Sequence, residues 1–176
     1  MAASHSAAET LRDGDATRAR LLDALPRHAV VHLACHAVAD PDDPSTGRLL
    51  LRDQPLTVAE VTALHLPAAQ LAVLSACATA APAGALVDEA IHLASAFRAA
   101  GYPQVVGTIW PVPDPVAVRF SRVFHRLLAQ RGTADAVPAA WAGAVAALRE
   151  RWPQHPSVWA AFAHLGAEPT ARPAPR

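Results

Sequence analysis

The sequence Leu71-Ala-Val-Leu-Ser-Ala-Cys77 predicts a buried strand that ends at two small residues and a cysteine. A loop rich in alanine, proline and glycine follows it. This pattern is typical of a central strand in a parallel sheet that is covered on both faces. At the carboxyl end of such a strand, the backbone enters the crevice in which open α/β sheets bind their ligands. Cys77 is therefore expected to be either a nucleophile or a small buried residue.

The composition predicts one globular domain. The chain has 176 residues, of which 52% are hydrophobic, and this is enough to bury a sizeable core. Its 15 basic and 15 acidic residues balance, which argues against nucleic acid as a partner. The two cysteines make no disulfide framework and favour a reducing, cytoplasmic setting. We find no signal peptide and no apolar stretch of membrane-spanning length, so no membrane association is expected.

Strand-like and helix-like segments alternate along the chain. The strands are predicted over residues 29–36, 70–76 and 104–109, with a small hairpin over 48–57 and an edge strand over 162–165. The helices are predicted over residues 16–25, 57–64, 88–100, 115–130 and 136–151. Thr57 and Glu60 predict a capping box, Asp114 is a predicted N-cap, and Gly101 is predicted to end the helix over 88–100. This alternation indicates an α/β fold with a mostly parallel sheet and right-handed crossovers. Residues 1–15 are expected to be a flexible N-terminus, and 167–176 a disordered tail.

Two of the predicted strands end at residues that could perform catalysis together. If the segments 29–36 and 70–77 are parallel neighbours about 4.8 Å apart, His36 and Cys77 lie at adjacent strand ends. A cysteine beside a histidine forms a nucleophilic dyad. Its thiolate attacks a carbonyl, and the imidazole activates the thiol and later protonates the leaving amine.

Several of these residues also have a simpler structural interpretation. Cys77 by itself would more often be a small core residue than a nucleophile. Cys35 alternates to the opposite strand face from His36 and is expected in the core, away from both His32 and His36. We therefore expect neither a metal site nor a cofactor. Asp88 is interpreted as a helix N-cap in preference to part of an acidic pocket.

Six segments, in this order, resemble the CHAT domain, a family of caspase-like proteins that are related to separases and often adjoin tetratricopeptide repeats. The segments are His32-Leu-Ala-Cys-His36, Leu56-Thr-Val-Ala-Glu60, Leu71-Ala-Val-Leu-Ser-Ala-Cys-Ala-Thr79, Leu93-Ala-Ser-Ala-Phe-Arg-Ala-Ala-Gly101, Val105-Val-Gly-Thr-Ile-Trp-Pro-Val-Pro-Asp114 and His155-Pro-Ser-Val-Trp-Ala-Ala-Phe162. Together they cover roughly residues 16–166.

The resemblance implies a three-layer, caspase–haemoglobinase-like sandwich and a cysteine endopeptidase that acts on a protein. It implies His36 as the general base and acid and Cys77 as the nucleophile. The oxyanion hole would be formed by the backbone N–H groups of Ala37 and Cys77. Asp88 and Asp114 are candidate substrate-pocket residues.

The chain departs from the family pattern at three places. Ala37 stands where the family usually has glycine, and Ala78 stands where a glutamate is common. The domain also begins at about Ala16, so we expect it to be N-terminally truncated, with the 29–36 strand at an exposed edge. A tetratricopeptide-repeat protein or an upstream-encoded chain is then an expected partner. The alternative function is a catalytically inactive CHAT-like module that binds a protein.

Overall fold

The computed structural model describes residues 8–38, 47–75, 86–131 and 136–166, with residues 86–92 and 131 described at the backbone only. Its strands are β1 (Val30–Leu33), β2 (His36–Val38), β3 (Arg48–Leu50), β4 (Leu56–Thr57), β5 (Leu71–Leu74), β6 (Gln104–Thr108) and β7 (Phe162–Gly166). Its helices are α1 (Arg18–Ala24), α2 (Val58–Thr62), α3 (Leu86–Ala100), α4 (Asp114–Arg131), α5 (Val137–Arg151) and α6 (Pro156–Trp159).

The main sheet has the strand order β1-β5-β6-β7. The strands β1, β5 and β6 are parallel, while β7 pairs with β6 in the antiparallel direction. In this register, Leu33 lies opposite Leu74, and Leu74 lies opposite Gly107. The predicted α/β architecture with a mostly parallel sheet is confirmed, and so is the edge strand near the C-terminus, which proves to be antiparallel.

Helices cover both faces of the main sheet, because the side chains of its central strands alternate between two hydrophobic cores. Ala72, Leu74 and Val105 belong to the core on the side of α1, α2 and α3, which we call the α3-side core. Leu71, Val73 and Val106 belong to the core on the side of α4 and α5, the α4-side core. All four residues of β5 are buried. This double burial explains why β5 is apolar throughout, as expected of a strand covered on both faces.

The predicted strand 29–36 is wrong in its extent, because the chain leaves the main sheet after Leu33. A bend at Cys35 separates β1 from β2, and His36 is the first residue of β2. β2 pairs with β3 in the antiparallel direction, so the chain joins the small hairpin sheet at this point. Burial nevertheless alternates from His32 to Ala37, with the odd-numbered residues on the α3-side core.

The strands β2, β3 and β4 form a small antiparallel sheet, which includes the hairpin predicted over residues 48–57. The N-terminal end of α1 is attached to this hairpin. The backbone N–H of Arg18 donates to the Asp53 carboxylate at 2.9 Å, and the N–H of Arg52 donates to the carbonyl of Ala16 at 2.9 Å. The Arg18 guanidinium also forms an ion pair with Glu60 on α2. These bonds attach the small sheet to both helices.

The start of α2 confirms the predicted capping box. The side chain of Thr57 accepts a hydrogen bond from the backbone N–H of Glu60 at 3.2 Å. In return, the backbone N–H of Thr57 donates to the Glu60 carboxylate at 2.9 Å. Two N–H groups that the helix itself leaves without partners are thereby satisfied.

The two helices with predicted aspartate N-caps begin earlier than expected. α3 begins at Leu86, so Asp88 lies within its first turn and is not its N-cap. α4 begins at Asp114 itself. The carbonyl of Pro113 accepts the N–H groups of Val116 at 2.9 Å and Ala117 at 3.2 Å, so Pro113 occupies the cap position.

The segment 8–15, which lies within the predicted flexible N-terminus, makes defined contacts with the domain. Leu11 packs against the α3-side core. The Glu9 carboxylate pairs with His28 at 3.2 Å and with Arg27 at 3.1 Å, and these bonds lower the pKa of Glu9. Composition did not indicate these contacts, because they depend on where α1 ends.

Gly101 ends α3 in the way that the sequence predicts. Its φ angle is +125°, the N–H of Tyr102 donates to the carbonyl of Phe97, and the N–H of Gly101 donates to that of Arg98. This pair of bonds is the Schellman motif. A Cβ atom at position 101 would lie 2.5 Å from the backbone oxygen of Leu66. The turn therefore requires glycine, because the φ angle is positive and because there is no room for a Cβ atom.

Replacing Gly101 with alanine should lower the free energy of unfolding by about 1 to 3 kcal/mol, because alanine is strained at positive φ and would press on the Leu66 backbone. Chemical denaturation measures this loss. The matched control is Gly14→Ala, since a Cβ at Gly14 meets no atom within 4 Å. Equal stability of the two variants would contradict the assignment.

Candidate functional site

His36 lies at the boundary between the two sheets. It is exposed, and it stands opposite Leu50 as the first residue of β2. Its neighbour Ala37 is buried, pairs with Leu49 and directs its methyl group into the α3-side core. Packing of the buried Ala37 therefore holds the backbone next to His36, while the His36 imidazole remains accessible to solvent.

Alanine at position 37 is compatible with the backbone found there. Among the described residues other than glycine, Asp13 alone has a positive φ angle, so Ala37 has ordinary strand geometry. A glycine at this position would lose the buried methyl contact. Alanine in place of the family's usual glycine therefore adds a packing contact to the α3-side core, and the backbone there is not in a left-handed conformation.

The other predicted site residues are described to different extents. Cys77 lies outside the described residues, as do Ala78 and Thr79. Asp88 is described at the backbone only, in the first turn of α3. Asp114 is exposed at the first position of α4.

Cys35 is a free, half-buried thiol that packs against the α3-side core. This agrees with the prediction that it points away from His36. Burial raises the pKa of the Cys35 thiol to about 11. Because the thiolate is the nucleophilic form, this shift disfavours reaction of Cys35 at neutral pH.

The structure reveals a polar cluster that the sequence did not predict, formed by His32 on β1, Ser75 just after β5, and His125 on α4. The Nε2 atom of His32 is 2.8 Å from the Ser75 hydroxyl oxygen. The Nδ1 atom of His32 is 3.2 Å from Nε2 of His125. We call these residues the His32 cluster. It joins both parallel strands to the helix that covers them.

Both histidines of the His32 cluster have lowered pKa values. His32 retains accessible surface, but the atoms packed around its ring remove water, and this desolvation lowers the pKa of His32 to about 4. The nearby His125 lowers it further. Desolvation also lowers the pKa of His125, which is half-buried. Both imidazoles are therefore disfavoured in their charged forms.

The free energy of unfolding should fall as the pH is lowered from about 6.5 to about 4. In this range His32 is protonated in the unfolded chain but remains neutral in the folded one, so acid favours unfolding. We expect a loss of about 1 kcal/mol, well below the ~3 kcal/mol of a fully buried ring, because solvent reaches His32. Denaturation at several pH values should show a smaller slope for His32→Gln, while His155→Gln, at an exposed histidine, should leave the slope unchanged.

Within the described ranges, no three or more histidine, cysteine, aspartate or glutamate side chains are grouped so that they could hold a metal ion. No helix in the described part of the chain is both long and apolar enough to cross a bilayer.

The comparisons with known proteins identify the family. An α/β domain with a mixed, mostly parallel sheet and helices on both faces is compatible with a caspase-like fold. A family model described as the CHAT domain matches residues 1–167. The protein therefore belongs to the CHAT domain family. A comparison with curated proteins gave no match.

Proposed function

We propose that the protein is a caspase-like cysteine endopeptidase with a caspase–haemoglobinase fold, and that His36 and Cys77 form its catalytic dyad. The observation that supports this proposal most strongly is the parallel pairing of β1 with β5 in a member of the CHAT domain family. That pairing joins the two strands whose carboxyl ends lead to the proposed catalytic residues.

The strand register supports the dyad. Leu33 pairs with Leu74, and the N–H of Ser75 donates to the carbonyl of Leu33 at 2.9 Å. His36 follows Leu33 by three residues, and Cys77 follows Leu74 by three residues. The number of residues between the paired strand position and the proposed catalytic residue is therefore the same in both segments.

The proposed reaction has two steps. His36 accepts the proton of the Cys77 thiol, and the thiolate attacks the scissile carbonyl, so that a C–S bond forms. The leaving amine takes a proton from the imidazolium as the C–N bond breaks. Water, deprotonated by His36, then hydrolyses the thioester and releases the new carboxylate. The backbone N–H groups of Ala37 and Cys77 would stabilise the oxyanion in both steps.

The substrate is proposed to be a cytoplasmic protein that presents a basic side chain next to the cleaved bond. Asp114 is exposed at the start of α4, and Asp88 is in the first turn of α3. Both helices begin after a parallel strand of the main sheet, on the side where the proposed dyad lies. Carboxylates at this edge would favour arginine or lysine in the bound peptide. An upstream-encoded or tetratricopeptide-repeat chain remains the proposed partner.

The proposal is tested with an electrophilic thiol probe and mass spectrometry of the labelled peptides. Cys77 should be labelled many times faster than Cys35 at neutral pH, because burial raises the pKa of the Cys35 thiol. The variant His36→Ala should slow the labelling of Cys77 at least about tenfold, because it removes the proposed activating base.

The variant His65→Ala is the matched control for His36→Ala, since His65 lies in the turn region between α2 and β5. It should leave the labelling rate unchanged. Equal rates at the two cysteines, or a Cys77 rate that does not respond to His36→Ala, would count against the dyad. That result would favour the inactive, protein-binding alternative.

A further inference from the structure

The two imidazole rings of the His32 cluster lie closer together than a straight hydrogen bond would hold them. The ring nitrogens of His32 and His125 are 3.2 Å apart, and the ring centroids are 5.1 Å apart with the planes tilted by 35°. A straight hydrogen bond of this length would hold the centroids about 5.5 Å apart. The shorter separation means that the two ring axes are not collinear with the line that joins the nitrogens.

These distances match those of two histidines bound to one ion. With metal–nitrogen bonds of about 2.05 Å, two ligand nitrogens lie about 2.9 Å apart at a right angle and about 3.3 Å apart at the tetrahedral angle. The corresponding ring centroids lie about 4.5 to 5.2 Å apart. The observed 3.2 Å and 5.1 Å fall within both ranges, near the tetrahedral end.

Ser75 can stabilise His32 in the tautomer that an ion requires. Its hydroxyl lies 2.8 Å from Nε2 of His32, so this nitrogen can carry the proton and donate it to the hydroxyl oxygen. The lone pair of Nδ1 then faces His125. Histidine ligands of metal ions characteristically donate the opposite ring N–H in this way, which holds the ring in orientation.

We propose that Nδ1 of His32 and Nε2 of His125 together bind a late first-row divalent cation, such as Zn²⁺, with Ser75 orienting His32. Imidazole nitrogen suits Zn²⁺, Cu²⁺ and Ni²⁺, whereas Mg²⁺ and Ca²⁺ prefer oxygen ligands. Since the protein supplies two ligands and His32 is exposed, water completes the coordination sphere. Binding moves the proton on Nε2 of His125 to its Nδ1 atom, so both rings remain neutral.

The two ligands come from β1 and α4, which are separate elements of the fold. An ion would therefore cross-link the edge of the main sheet to the helix that covers it.

The test is calorimetric titration of the full chain with Zn²⁺ at pH 7.5, carried out on the Cys77→Ala protein so that the proposed nucleophile cannot contribute. We expect saturable binding of one ion per chain. The variants His125→Gln and His32→Gln should each weaken binding at least tenfold, while His155→Gln should not change it. Zn²⁺ should also raise the melting temperature of the Cys77→Ala protein but not that of the His125→Gln variant in this background.

Cu²⁺ provides a measurement that needs no substitution in the cluster. Electron paramagnetic resonance should show two imidazole nitrogens in the equatorial plane of the ion. A single nitrogen, the absence of saturable binding, or an affinity unaffected by His125→Gln would overturn the proposal. Because the protein tested lacks Cys77, these outcomes are separate from those that decide the peptidase activity.

Discussion

Cys77→Ala should reduce hydrolysis of a peptide substrate by at least about a thousandfold. Removing a covalent nucleophile leaves only substrate binding and oxyanion stabilisation, which cannot replace bond formation to sulfur. The measurement is kcat/KM on a peptide library enriched in arginine and lysine at the cleaved bond. Substrate binding should persist, so the loss is expected in kcat and not in KM.

The matched control is Cys35→Ala. Cys35 packs against the α3-side core, and its thiol has a pKa of about 11, so its removal should leave kcat within about twofold. An active Cys77→Ala protein would exclude Cys77 as the nucleophile. If both variants fold fully and both lose activity, Cys35 has a role in the reaction that its burial does not predict.

Phe124→Ala should lower the free energy of unfolding by about 3 to 5 kcal/mol, the usual cost of truncating a buried phenylalanine. Phe124 on α4 is fully buried in the α4-side core and stacks on Phe120 with ring centroids 5.7 Å apart. Phe120 in turn stacks on Phe162 of β7, with centroids 3.9 Å apart. Removal of Phe124 therefore opens a cavity beside an aromatic stack that joins helix and sheet.

Thermal and chemical unfolding measure this effect. For a chain of this length, each kcal/mol shifts the melting temperature by about 2 to 4 °C, so a shift of roughly 10 °C is expected. Val118→Ala is the control on the same helix, because Val118 is 47% exposed. Its loss should stay below about 0.5 kcal/mol. A loss below 1 kcal/mol for Phe124→Ala would mean that the core can close over the missing ring.

The parts of the fold that depend on neighbouring residues could be predicted from the sequence. The apolar run of β5 indicated burial on both faces, which the two cores confirm. The spacing of Thr57 and Glu60 predicted a capping box, and Gly101 predicted the end of α3. Each of these signals involves residues within a few positions of one another. At that range, backbone hydrogen bonding and the spacing of apolar side chains determine the local structure.

The parts that depend on distant residues could not be predicted. The residues after Ala29 favour a strand, but they do not indicate that the chain changes sheets at Cys35. That change depends on pairing with the hairpin strand β3, which comes later in the sequence. Residues His32 and His125 meet across 93 positions of sequence, and no periodicity connects a strand residue to one face of a later helix. The parallel pairing of β1 with β5, on which the proposed dyad depends, could be predicted from the sequence, while the His32 cluster required the packing of α4.

The change of sheet between Leu33 and His36 has a mechanical consequence. If the dyad operates as proposed, its base is carried by the small antiparallel sheet, while its nucleophile continues from the main parallel sheet. The two proposed catalytic groups then belong to different sheets, and the chain connects these sheets through the two residues Ala34 and Cys35. A displacement of about 1 Å can cost a reaction about a hundredfold in rate. Any ligand that rotates the small sheet, even one bound at α1 or α2, would thus adjust catalysis without contacting the dyad.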